Sequence, residues 1–146
     1  MRAYLYVLTM LLGVVLTVHL AMNAKVGVAL NNPRVGNALF WCIGAVWAVV
    51  IGVTGWQSGA LAGLRTVNPM MLTAGAIGAS LVFAIAWIIP QIGAGPMTFA
   101  LLAGQIIGGM VLSHYGWLGS PVQPISATQI IGALVMVGGV YLATRS

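Results

Sequence analysis

Residues 4–33 read YLYVLTMLLGVVLTVHLAMNAKVGVALNNP. The stretch from Tyr4 to Met22 is apolar almost throughout and carries no charge. An α-helix needs about 20 such residues to cross the hydrocarbon core of a bilayer. The helix can continue to Leu30, with Lys25 reaching out to the interface along its aliphatic stem. Asn31-Asn32-Pro33 is a turn signal that ends it. The outline of a signal peptide is present at Met1-Arg2, but the apolar run continues past Ala21 without a small-residue cleavage site. It also carries His19 and Asn23, so it is read as a retained first helix.

Four more runs follow. Val35 to Thr54 closes at Gly55 and Trp56, and a polar loop from Gln57 to Asn68 holds Arg65. Asn68 suits an N-cap, with Pro69 at the first helical position. The third run, Met70 to Ile89, meets Pro90, Gly93, Gly95 and Pro96, which are expected to break it sharply. Met97 to Leu112 is the fourth, extendable to Tyr115. After Pro121 and Pro124, Ser126 and Gln129 have capping-box spacing and open the fifth, which runs to about Thr144. The reading is an all-α integral membrane protein, a single membrane domain over 1–146 with helices at about 4–30, 35–55, 69–90, 96–114 and 126–144. Transmembrane strands alternate over about 10 residues, whereas these runs are continuous over about twice that.

Composition agrees. Of 146 residues, 61% are apolar and 3% charged, against about 25% charged in soluble domains. There is no Asp or Glu. The cations are Arg2, Lys25, Arg34, Arg65 and Arg145, scattered singly, which excludes a nucleic-acid face and suggests the ends of membrane helices. The bilayer is therefore the first partner. Cys42 is the only cysteine, so no intrachain disulfide can form. Two histidines without carboxylates make a poor metal site, and no cofactor is expected. No Ser-His-acid set and no phosphate loop is present, so the chain does not read as an enzyme.

Five spans place Arg2 and Arg65 on one side and Lys25, Arg34 and Arg145 on the other. Two against three is almost no charge bias, so insertion in both orientations and antiparallel pairing are expected. Small residues recur four apart at Gly44/Ala48/Gly52, Ala74/Gly78, Gly75/Ala79 and Ala100/Gly104/Gly108, which suggests close helix contacts.

Polar side chains in hydrocarbon are costly and usually face a bundle interior or a wet cavity. His19 and Asn23 lie four apart on one helix face. Asn37 stands near the start of the second helix and Gln105 inside the fourth. For each, a single interhelical hydrogen bond competes with a substrate site. A tight cation site would have to rest on ring faces such as those of Trp41, Trp47 or Trp87. Without a carboxylate, a site for neutral or anionic small molecules fits better than one for cations. His114, beside Tyr115, reads as a solvated loop residue.

The order of these features resembles the YdcZ-like family of the drug/metabolite transporter superfamily over nearly the whole chain. The carriers of the resemblance are His19, Asn23 and Pro33, then Trp41 and Gly44. Gly75, Gly78, Pro90 and Gly93 follow, then Gly104-Gln105 and His114-Tyr115-Gly116, and last Gly132 with Gly138 or Gly139. Departures are His19 where the family usually has glutamine, Ser113 where it often has an acid, and Gln129 near where it often has arginine. The resemblance implies a bacterial inner-membrane protein that supplies one half of an inverted-repeat assembly. Family members occur singly, in adjacent pairs or fused, which implies a homodimer or a heterodimer with a paralogue. The function expected is transport of a small metabolite or drug-like molecule by alternating access. The substrate site would be lined by His19, Asn23 and Gln105, with Trp41 and Asn37. The competing reading is a non-transporting subunit that pairs with or regulates another membrane protein.

Overall fold

The computed structural model describes residues 3–145; Arg2, counted above among the cations, lies outside them. Among the described residues the chain is all-helical, with five helices long and apolar enough to cross a membrane. It divides into two compact units, residues 1–91 and 92–146.

In the first unit, α1 (Ala3–Ala29) and α2 (Pro33–Thr54) form a tight hairpin. Asn31 adopts the left-handed conformation at φ 49°, which asparagine tolerates better than most residues. Asn32 then caps α2: its Oδ1 accepts from the N–H groups of Arg34 (3.1 Å) and Val35 (3.3 Å), and Pro33 fills the first helical position. The asparagine pair thus does more than end α1, since its second member starts α2. Directly beyond the turn the two backbones meet at Gly27 and Gly36. Leu20, Asn23, Ala24 and Gly27, spaced as one helix face, form the buried stripe of α1.

After a 3-10 turn at Ala62–Thr66, Asn68 caps the next span by accepting from the Met70 N–H at 3.0 Å. That span is interrupted: α3 (Pro69–Leu72) ends at Thr73, and α4 (Ala74–Ile92) follows. Pro90 was expected to break it, yet α4 continues two residues beyond, to Ile92. Pro90 withholds one N–H from the Ala86 carbonyl, and the helix runs on only to Ile92 before Gly93.

The second unit packs α5 (Ala94–Tyr115) against α6 (Ala127–Thr144). Gly116, at φ 65°, closes α5 with its N–H directed to the carbonyls of Leu112 and Ser113. Ser126 and Gln129 form the reciprocal capping box at the start of α6, with contacts of 2.9 and 3.2 Å. The connection between them is pinned. Ser113 O accepts from the Gln123 N–H at 2.8 Å, and His114 Nδ1 accepts from the Ile125 N–H at 3.1 Å. His114 is therefore a half-buried residue of the last turn of α5 and not the solvated loop side chain the sequence suggested.

The small-residue stripes do not fare alike. Carbon atoms added at Gly44, Gly52, Gly75, Gly104 or Gly108 would meet nothing within 4 Å among the described residues. Within its own unit, none of these glycines makes a close helix contact among the described residues. Gly78 does face a neighbour, with the Trp41 ring 4.0 Å from where its Cβ would be. The tightest backbone contact at any of the glycines is Gly27 with Gly36, on two different helices, which four-residue spacing along one helix cannot reveal.

Candidate functional site

The α1–α2 hairpin fixes which face of α1 looks inward. Gly27 must face α2, because only glycine permits that contact; Asn23, one turn earlier, is therefore carried inward with it. Asn23 is the most buried polar residue, 2% exposed. Neither its Oδ1 nor its Nδ2 has a hydrogen-bond partner among the described residues. Leaving such an amide unpaired costs about 1–3 kcal/mol per group, and more in hydrocarbon than in a soluble core.

His19 lies a further turn along α1. It is half-buried, and its ring sits 4.7 Å from that of Phe40 on α2, tilted by 54°. Its Nδ1 is also buried and unpaired. The two residues line a groove of about 160 Å³ together with Met22, Val26, Leu39, Phe40 and Ile43. Phe40 was not singled out from the sequence, although its spacing three residues after Asn37 places it on the same face of α2.

Asn37 and Trp41 form the seam between α2 and α4. Asn37 Nδ2 donates to the Ala79 carbonyl at 3.4 Å, while its Oδ1 is buried without a partner. Trp41 packs edge-on to Phe40 at 5.9 Å, reaches toward Gly78 and leaves 36% of its surface exposed. The first unit thus collects buried, unpaired polar atoms from His19, Asn23 and Asn37, with Phe40 and Trp41 beside them.

Gln105 belongs to the second unit and is exposed near the middle of α5. That unit has its own unpaired buried atom, Thr98 Oγ1, which the sequence reading missed. A hydroxyl in a membrane span normally donates back to its own helix, as Thr9 and Thr17 do, so nothing in its spacing sets Thr98 apart.

What this chemistry can do is bounded. The polar atoms are amides, an imidazole nitrogen and a hydroxyl, and the sequence contains no Asp or Glu. Once an opening of the helices exposes them, such groups suit hydrogen bonds with an uncharged or anionic molecule, and they offer a cation no counter-charge.

Residues 4–142 match the family described as "Putative inner membrane exporter, YdcZ". No curated protein and no solved structure matches. The match runs from the first span into the fifth, and it is the family that the order of polar residues, prolines and glycines resembles. The chain therefore belongs to the YdcZ family, inner-membrane proteins described as exporters.

Proposed function

We propose that the chain is one half of an antiparallel dimer. It carries a small uncharged or anionic molecule across the inner membrane by alternating access. The observation that carries this reading is Asn23, buried in a membrane-spanning helix with both carboxamide atoms unpaired. A polar group unpaired inside a membrane span calls for a partner from outside the described residues, and a substrate would be one. His19 and Asn37 complete the binding set, and the His19–Phe40 contact supplies an aromatic wall.

Two observations support pairing. Gln105 is exposed in mid-span within the second unit, and a partner copy would give its amide a hydrogen bond there. Five spans in a single copy also form one repeat of the kind that inverted-repeat transporters combine in twos. On a five-span topology Arg2 and Arg65 would face Lys25, Arg34 and Arg145 across the membrane, too small an imbalance to fix one orientation.

The test is purified protein in liposomes, screened with small metabolites on a solid-supported membrane. Substrate-dependent currents that vanish in Asn23→Ala and His19→Ala are expected. Cysteine-accessibility labelling of the C-terminus in intact cells accompanies it. Labelling from both faces is the expected result, and labelling from one face only would exclude the antiparallel homodimer.

A further inference from the structure

The α1–α2 turn and the C-terminal half of α4 border two adjoining grooves that share Asn31, Pro33 and Trp87. One, of about 340 Å³, is lined also by Asn32 and Arg34. Its neighbour, of about 260 Å³, runs between Ala24 and Gly27 on α1 and Ala86 on α4. A cationic mouth therefore continues into an apolar trough. Neither groove shares a lining residue with the His19–Phe40 groove.

The depth of the mouth follows from the chain. Asn31-Asn32-Pro33 joins two membrane spans, so it lies at the membrane–water boundary, and Trp87 has the amphipathic ring found at that level. The charge there is uncompensated. Arg34 is exposed, and the chain contains no Asp or Glu that could neutralise it. Asn32 Oδ1 already occupies the first N–H groups of α2, so an anion would meet the Arg34 guanidinium and the carboxamides of Asn31 and Asn32.

We propose that these grooves form a binding site for an anionic phospholipid. Its phosphodiester pairs with Arg34, and its glycerol and upper acyl chain lie along Ala24, Gly27 and Ala86. Guanidinium and phosphate match in geometry as well as charge. A free phosphate ion would make no use of the trough. A zwitterionic lipid would bring an ammonium group for which this chain has no carboxylate. The site does not depend on the transport reading, and a silent transport assay would leave it standing.

The experiment uses the full-length protein in detergent micelles. Retention of added lipid is read by native mass spectrometry, and thermal unfolding is followed in parallel. Phosphatidylglycerol should be retained and should raise the melting temperature, while phosphatidylcholine should do neither. Arg34 makes no side-chain hydrogen bond within the described residues, so Arg34→Gln should fold normally and bind phosphatidylglycerol about five- to tenfold more weakly. Arg65→Gln, on a different loop, should bind it as the unaltered protein does. Three results would overturn the site: equal retention of phosphatidylcholine, displacement of phosphatidylglycerol by millimolar inorganic phosphate, or an equal loss in Arg65→Gln.

Discussion

Gly27 and Gly36 meet backbone to backbone: a Cβ on Gly36 would fall 2.7 Å from the Gly27 Cα and 2.9 Å from its nitrogen. Real carbon atoms do not approach so closely, and backbone cannot yield as a side-chain tip can. Gly36→Ala should therefore push α1 and α2 apart and destabilise the protein by about 1–3 kcal/mol. Gly44→Ala, on the same helix, meets nothing within 4 Å and should be neutral or slightly stabilising, since alanine outranks glycine in helix propensity. Thermal unfolding in detergent compares the two variants directly, and equal melting temperatures would refute the contact.

Asn23 gives the sharpest division between stability and function. Leucine has nearly its shape and no polar atoms to leave unpaired. Asn23→Leu should raise stability by about 1–3 kcal/mol, because it removes a buried amide that has no partner. If the amide serves the substrate, the same variant should lose transport. A loss of stability together with transport would mean that Asn23 is structural and its pairing is met within the fold.

Much of this architecture was legible in the residues, and the illegible parts have a common cause. Run length located all five spans, and Asn68-Pro69 and Ser126-Gln129 marked helix starts through local backbone chemistry. Each of those signals acts within a few residues. The Gly27–Gly36 contact depends on the register that the Asn31-Asn32 turn imposes on two helices, and the glycine stripes chosen by spacing missed it. The burial of Asn23 could have been inferred from Gly27 one turn away, had that contact been foreseen. His114 was misread because its partner, the Ile125 N–H, lies eleven residues on across a folded connection.

That connection supplies a third prediction. Ile125 donates its N–H to His114 Nδ1, so His114→Ala leaves this half-buried donor without its acceptor. Amide hydrogen exchange at Ile125 should accelerate by about one order of magnitude, as expected for losing roughly 1–2 kcal/mol of local protection. Exchange in α1 should not change. Uniform acceleration through the chain would instead indicate global destabilisation.

Gly116 is constrained twice, by its positive φ of 65° and by Val122, whose Cγ2 would lie 2.6 Å from an added Cβ. Gly116→Ala should cost about 1–3 kcal/mol. The two causes separate in a double-mutant cycle. Val122→Ala removes the side chain in the way but leaves the backbone strain, so the double variant should recover part of the loss. Full recovery would show that the left-handed conformation costs alanine nothing there, and no recovery would show that Val122 moves aside freely.

Gln105 tests the dimer. Its amide is exposed in the middle of α5, and hydrocarbon offers it no hydrogen bond. A second copy that covers it would place the two residues at position 105 close to the symmetry axis or against another polar group of the partner. Cys42 is the native thiol and is exposed, so it is first replaced by serine. Gln105→Cys in that background should then form an intermolecular disulfide or a short bifunctional cross-link in native membranes. A cysteine at the lipid-exposed Val49, which belongs to no proposed seam, should not. Cross-linking at both positions would indicate random collision. At neither position, with the protein still monomeric by light scattering, no second copy would cover Gln105 and the paired transporter would lose its main support.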